Sequence, residues 1–262
     1  MGDSLLLLLF IILTVTMGYA FRFLTLSGSI AAGIVGVLTM LGFHIKGLLV
    51  LGVFFATSSF WSYYKKVQKL KVEERLAKGS RRDWQQVLAN GGSAAAASFL
   101  YYLNPDPLWL LCFCMLIAGA NSDTWASEIG TLSKRQPISI RTMSVVQKGT
   151  SGAVSVLGTG AALAGAFLIA LISYYLFEMG LAMSFFVFIF GFLGNLIDTI
   201  FGAYLQAMYR CRNCNLDTEK LVHCGQKTER LRGLPILNNE MVNFLSCFLA
   251  ATIGAIIYTI MK

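Results

Sequence analysis

The chain alternates long apolar runs with short polar ones, and the apolar runs are too long for strands and too uniform for one face of a surface helix. Eight membrane-spanning helices are predicted from them. The first covers residues 4–20; it follows Asp3 rather than a basic stretch and has no small-residue cleavage site before Arg22, so it reads as a span and not as a removed signal peptide. The second, 28–43, is rich in Gly and Ala and is expected inside the bundle, where small residues let backbones approach. The third, 47–64, ends in Trp61, Tyr63 and Tyr64, side chains suited to a membrane interface. Asn90 before a Gly pair is read as a turn and helix start, or as a polar contact to a ligand. A short Ala-rich fourth span follows at 91–103. Asn104-Pro-Asp-Pro turns the chain into a fifth at 108–120, and the last three cover 149–175, 181–208 and 241–261. The predicted fold is an all-α polytopic bundle, a single integral membrane domain over 1–262.

Composition agrees: 56% of residues are hydrophobic and 13% charged, with a mean hydropathy of +0.67, values that exclude a soluble domain of this length. The formal net charge of +8 gathers in polar segments at 65–90, 131–148 and 209–238. The first carries Lys65, Lys66, Lys69, Lys71, Arg75, Lys78, Arg81 and Arg82 against Glu73 and Glu74; it is expected to be helical and to lie near lipid headgroups. With eight spans all three segments fall on one side and both termini on the other, so the positive-inside rule makes the basic loops cytoplasmic in a multi-pass protein of the plasma membrane. No nucleic-acid motif accompanies the charge, and nucleic acid is not an expected partner.

Candidate chemistry starts at the end of the fifth span, where residues 121–130 read Asn-Ser-Asp-Thr-Trp-Ala-Ser-Glu-Ile-Gly. Carboxylates at membrane depth are costly and tend to face a polar cavity or a partner, which singles out Asp123 and Glu128. On a regular helix the two point about 140° apart. Either the helix unwinds near 119–123 or the acids serve different partners. In the seventh span Gly191, Gly194, Asn195, Asp198 and Gly202 form one small and polar stripe, which can pack on the fifth span and bring Asp198 to Asp123 or Glu128. Three such carboxylates at a cytoplasmic face suit Mg²⁺ bound to phosphates. Lys148-Gly149-Thr150-Ser151-Gly152 is expected to open the sixth span, with backbone N–H groups free to receive a phosphate beside Lys148. Arg141, Asn121 and Asn195 are further candidate contacts to a nucleotide. Asn239 and Asn243, one turn apart before the last span, are either helix caps or such contacts.

Six cysteines divide into Cys112, Cys114 and Cys247 within apolar runs and Cys211, Cys214 and Cys224 in one loop, unlike a secreted disulfide framework and suited to a reducing compartment. Cys211-x-x-Cys214 with the later His223-Cys224 supplies the ligand types a structural zinc prefers, although neighbouring side chains such as His223 and Cys224 usually diverge. The alternative is an unmetallated thiol loop.

The segments at 120–130, 148–155, 194–198 (Gly-Asn-Leu-Ile-Asp) and 238–243 (Asn-Asn-Glu-Met-Val-Asn) resemble a membrane family catalogued as domain of unknown function ninety-two. That family includes mammalian transmembrane protein 19 and the plant phytyl-phosphate kinases, and the likeness covers nearly the whole chain. More distantly, Ser122-Asp-Thr-Trp-Ala-Ser and Lys148-Gly-Thr-Ser-Gly resemble stretches of dolichol and phytol kinases, while 194–198 with 233–238 resembles the paired signature of membrane CDP-diacylglycerol synthases. Ser122 stands where those kinases have Gly, and Asn195 where the synthases have Asp. The resemblance implies CTP and a divalent metal, with Asp123 and Asp198 as metal contacts and Lys148 as a phosphate clamp. The reading that follows is a CTP-dependent isoprenoid (phytyl or polyprenyl) monophosphate kinase. An ion-coupled transporter and a CTP-dependent lipid cytidylyltransferase are the alternatives, and oligomeric state is left open.

Overall fold

The computed structural model describes residues 2–262, apart from the side chains of Asp3 and Lys71. Helices α1 (Gly2–Ala20), α2 (Leu26–Tyr63), α3 (Lys66–Glu73), α4 (Trp84–Leu103) and α5 (Pro107–Gly130) come first. A short pair, β1 (Ile138–Ser139) and β2 (Ala153–Val154), precedes α6 (Val156–Phe177) and α7 (Leu181–Tyr204). The segment between α7 and the last helix, α8 (Asn239–Met261), carries five strands: β3 (Met208–Arg210), β4 (Asp217–Thr218), β5 (Val222–His223), β6 (Gln226–Lys227) and β7 (Glu229–Arg232). They form a sheet ordered β4-β3-β7 and a separate β5-β6 hairpin. By length and composition α2, α5, α6, α7 and α8 can each cross a membrane, and α1 contributes a shorter apolar stretch.

A straight helix with the 38 residues of α2 would be about 57 Å long, nearly twice the ~30 Å of a hydrocarbon layer. It is not straight. His44 (φ 48, ψ −139) breaks the helical path, and the second half returns along the first. Tyr63 Oη donates to the Arg22 carbonyl (2.7 Å), and the Phe23 and Tyr63 rings meet edge to face with centroids 4.9 Å apart. The segments expected at 28–43 and 47–64 are thus the two arms of one helical hairpin.

Eight helical segments (α1, the two arms of α2, and α4 to α8) therefore run alternately between two ends of the bundle. One end holds the turn at His44, where Phe43 packs on Tyr101, Phe113 and Phe177 and Lys46 lies 3.9 Å from Glu178. The opposite end holds α3 and all the strands. All but Lys46 and Lys262 of the 21 lysines and arginines belong to it, the charge asymmetry expected from the sequence. Helix α5 is the hub: Leu111, Phe113, Cys114, Met115, Ile117 and Ala118 are buried on every side, so the helix shows no amphipathic face, as a helix surrounded by others should not.

Several boundaries differ from expectation because side-chain caps decide them. Helix α4 begins at Trp84, since Asp83 accepts the Gln86 N–H (3.0 Å) while the Gln86 amide oxygen accepts the Asp83 N–H (3.2 Å), a reciprocal capping box. The loop expected to reach residue 90 therefore ends at 83. Asn90 lies inside α4, its amide donating to the Gln86 carbonyl (2.9 Å). Helix α6 starts at Val156 rather than 149, capped by Ser155, which accepts the Gly158 N–H (3.1 Å). Asn238, and neither Asn239 nor Asn243, caps α8 by accepting the Met241 N–H (2.9 Å).

Candidate active site

Gly191 and Gly194 of the α7 stripe lie against Ala118 and Gly119 of α5, whereas Gly202 lies against Ser151 and Gly152. A Cβ on Gly191 would fall 2.5 Å from Ala118 Cβ and 3.1 Å from its carbonyl carbon, so only glycine allows this approach, and it brings Asp198 to Asp123. The two carboxyls face each other across the contact. Asn195 Nδ2, one turn before Asp198, donates to Asp123 Oδ1 (3.1 Å). From α8, Ser246 Oγ donates to Asp198 Oδ2 (3.1 Å), and the Asn243 amide donates to the same oxygen (3.0 Å) and to the Asn239 carbonyl (3.0 Å). Every one of these donors is neutral. Among the described residues no lysine or arginine pairs with either acid, so the two carboxyls stand together without a basic counter-charge. A shared proton or a divalent cation satisfies such a pair.

The pair lies about 10 Å short of the loop-bearing end of α5 and α7 and opens into two adjoining polar cavities of about 180 and 210 Å³. The first is walled on the far side by the 148–152 turn. Lys148, Gly149, Thr150 and Ser151 all line it with Asp123, Asn195, Asp198 and Asn239. The turn is not the start of a helix, as was expected. Gly149 (φ +80) and Gly152 (φ +76) both take left-handed conformations, and a Cβ on Gly152 would lie 2.3 Å from Ala203 Cα. Among the described residues the N–H groups of Gly149, Ser151 and Gly152 have no protein acceptor, and successive free N–H groups in such a turn make an anion-receptive concavity.

Glu128 has a different role from the one expected. Helix α5 stays regular to Gly130, so Glu128 points away from Asp123. Its Oε1 accepts from Ser62 Oγ (2.7 Å) and its Oε2 pairs with Lys69 Nζ at 2.6 Å. Lys69, only 4% exposed, also donates to the Trp61 carbonyl (2.5 Å). The pair lines the second cavity without being free to bind an ion. Asn121, expected at a nucleotide, is fully buried; it donates to the Gly165 carbonyl (2.8 Å) and accepts from Thr57 Oγ1 (3.3 Å), stitching α5 to α6 and α2. Arg141 is exposed and lines neither cavity.

Other side chains at the cavities carried no signal in the sequence. Glu219, in the strand-bearing segment, reaches back over the acids, accepting from Gln206 Nε2 (2.8 Å) and the Ala77 N–H (3.2 Å). Burial pushes its carboxyl above the ordinary range, and those two donors only partly offset this. Lys78 bridges Asp83 (2.8 Å) and the buried Glu240 (3.4 Å). Burial lowers the Arg82 guanidinium, with Glu128 opposing the shift; Arg82 donates to Ser59 Oγ (2.8 Å) and lines the second cavity. Nothing local marks a lone Glu or Lys in a charged loop; of these side chains Glu240 sits inside the 238–243 motif already singled out, and Asn90 is the position that the sequence reads as a turn or a ligand contact. Asn90 Oδ1 is buried there without a protein partner among the described residues. In the same segment as Glu219, but away from the acids, Cys211, Cys214, His223 and Cys224 converge, with their ligand atoms all within 4.8 Å of one another.

Fold and site together define a multi-pass membrane helix bundle with an acid pair and two adjoining polar cavities toward its basic end. The family described as "Integral membrane protein DUF92" matches residues 9–251, and the chain belongs to it. It is 32% identical to Protein PGR of Arabidopsis thaliana over 91% of this chain and 90% of that one. It is also 32% identical to an uncharacterized membrane protein of Methanocaldococcus jannaschii, over 90% and 87% of the two chains. Protein VTE6, chloroplastic, of Arabidopsis thaliana is 25% identical over 88% of this chain and 64% of its own. No solved structure matches.

Proposed function

We propose that this protein transfers the terminal phosphoryl group of CTP to an isoprenoid monophosphate, of phytyl or polyprenyl type, at the cytoplasmic membrane face. The observation that carries the reading is the pairing of Asp123 with Asp198, without a counter-charge, opposite the free N–H groups of the 148–152 turn. The two acids would hold Mg²⁺, which supplies neutralisation of phosphate charge when bound. Asn195, Asn243 and Ser246 orient the carboxylates. Lys148 and the backbone of 149–152 receive phosphate oxygens and stabilise charge on the transferred group. An acceptor monophosphate is already largely ionised near neutral pH, its second pKa being about 6, so no side chain need act as a base. That fits a site in which Glu128 is engaged with Lys69, Glu240 with Lys78, and Glu219 with the Gln206 amide and the Ala77 N–H.

An apolar groove supports the choice of a lipid acceptor. A cavity of about 680 Å³ between α4, α5 and α8 is lined almost wholly by apolar side chains, among them Leu100, Trp109, Phe244, Phe248 and Ile256. The groove shares no lining residue with the two polar cavities; it begins at Gly92 and Phe244, next in sequence to Gly91 and to the Asn243 that bonds Asp198, and runs along α4 and α8 toward the opposite end of the bundle. The acid pair opens into cavities walled by the 148–152 turn and by Lys78, Arg82 and Glu219 of the loop-bearing end, and that opening toward the basic loops supports an enzyme over a permeation path through the bundle.

The test incubates purified protein with Mg²⁺, phytyl or farnesyl monophosphate and CTP labelled on the γ-phosphate or on cytidine, alongside Asp123→Asn. Label from the γ-phosphate should appear in a lipid diphosphate with wild type and not with the variant. Labelled cytidine in the lipid would identify a cytidylyltransferase instead. No product above the variant's with any nucleotide or chain length would refute the reading.

A further inference from the structure

We propose that Cys211, Cys214, His223 and Cys224 bind one structural zinc ion, and that this ion holds the strand-bearing segment 205–238 down on α3 and over the acid pair. The proposal does not rest on the kinase reading. Tetrahedral zinc with bonds to sulfur of about 2.3 Å places ligand atoms roughly 3.8 Å apart. Here Cys214 and Cys224 Sγ are 3.9 Å apart, and His223 Nδ1 lies 3.5 Å from Cys214 Sγ and 3.3 Å from Cys224 Sγ.

Two tight turns facing each other build this geometry. Asn215 (φ 57) closes the first: its N–H donates to the Cys211 carbonyl (2.9 Å), and the Cys211 N–H donates to the Leu216 carbonyl (3.0 Å). Cys224 (φ 50) and Gly225 (φ 72) form the second, the two-residue connection between β5 and β6, with the doubly left-handed backbone of a type I′ hairpin. That backbone removes the objection to adjacent ligands, because it swings the Cys224 side chain back beside the His223 ring. Four protein ligands close the coordination sphere, as in structural rather than catalytic zinc.

The metal's outer partner comes from another element. His223 Nε2 lies 3.8 Å from Glu74 Oε1, at the end of α3. At that distance, an ion-pair separation longer than a hydrogen bond, a carboxylate favours the proton on Nε2 and leaves Nδ1 to bind, the place where a metal-binding histidine usually has its outer partner. The next carbonyl, that of Arg75, accepts from Thr218 Oγ1 (2.7 Å) and the Glu219 N–H (2.9 Å). The segment is thus joined to α3 at three adjacent points, and the same anchorage sets Glu219 beside Asp198. Its strands are two to four residues long, too short to supply a core, and such small units need a metal or disulfide staple.

Elemental analysis of protein purified without chelator should find one zinc per chain. Cys214→Ser with Cys224→Ser should reduce zinc to background, while circular dichroism retains the helical signal of the bundle. Glu74→Gln should still bind one zinc when the metal is in excess, but lose it to a competing chelator at about 10- to 100-fold weaker affinity. Hydrogen exchange should rise across 205–238 on chelation and stay unchanged in α5. Zinc content unaffected by the double cysteine variant would overturn the site, as would metal-free wild type with its loop thiols reactive or joined in a disulfide. Unchanged affinity in Glu74→Gln, or unchanged exchange on chelation, would overturn the clamp.

Discussion

Glu128→Gln separates the two roles this residue could have. In the structure it neutralises Lys69, which is 4% exposed, from a position that is itself 24% exposed. Removing one partner of a buried ion pair costs about 3–5 kcal/mol, because the other charge is left without compensation. The glutamine oxygen still accepts one hydrogen bond and Glu128 is partly solvated, so a loss of about 2–3 kcal/mol is expected. For a chain of this length that lowers the melting temperature by roughly 4–10 °C. Adding Lys69→Met removes the stranded cation, and the double variant should recover much of the loss, giving a coupling energy above about 1 kcal/mol in a double-mutant cycle. Thermal unfolding in detergent measures the stability, and Mg²⁺-dependent transfer by the same samples measures function. Both variants should transfer phosphate well above Asp123→Asn. A Glu128→Gln protein as stable as wild type but as inactive as Asp123→Asn, with no rescue by Lys69→Met, would falsify the assignment and return Glu128 to the metal.

Asp123→Asn and Asp198→Asn should each lower turnover by about 100-fold or more, as losing a group that stabilises transferred charge does, and titration calorimetry should show weakened Mg²⁺ binding with helicity intact. Gly152→Ala adds strain of about 1 kcal/mol at a left-handed position and a Cβ that meets the backbone of α7; it should raise the KM for CTP, and an unchanged KM would count against the 148–152 turn as a phosphate site. Glu219 has a raised pKa in the folded protein, so the folded segment binds more protons than the unfolded one. Its docking should therefore weaken as pH rises from about 4.3 through that raised value. Tryptic cleavage of 205–238 across this range should quicken with pH in wild type, and Glu219→Gln should flatten the slope. A slope of opposite sign, or one that survives the substitution, would refute the cause given.

What the sequence determined by itself was everything written in period and composition. Apolar length set the helical segments, the clustering of lysine and arginine set which ends share a side, and the Gly191 to Gly202 stripe announced the close contact of α7 with α5, because these are properties of a single segment. Even the choice left open at Asp123 and Glu128 was correctly framed: the helix does not unwind, and the acids serve different partners. The tertiary structure alone decided which partner each took. Lys69 reaches Glu128 across 59 positions, and Ser246 and Asn243 reach Asp198 across some 50; no local pattern encodes a pairing that arises only when three helices and a loop fold together. Caps moved the helix starts for a related reason, since a few hydrogen bonds at Asp83, Ser155 and Asn238 outweigh the apolar run as the signal of where a helix begins. Glu219 was invisible for the plainest one: a charged residue in a charged loop acquires its meaning only when that loop closes over a site.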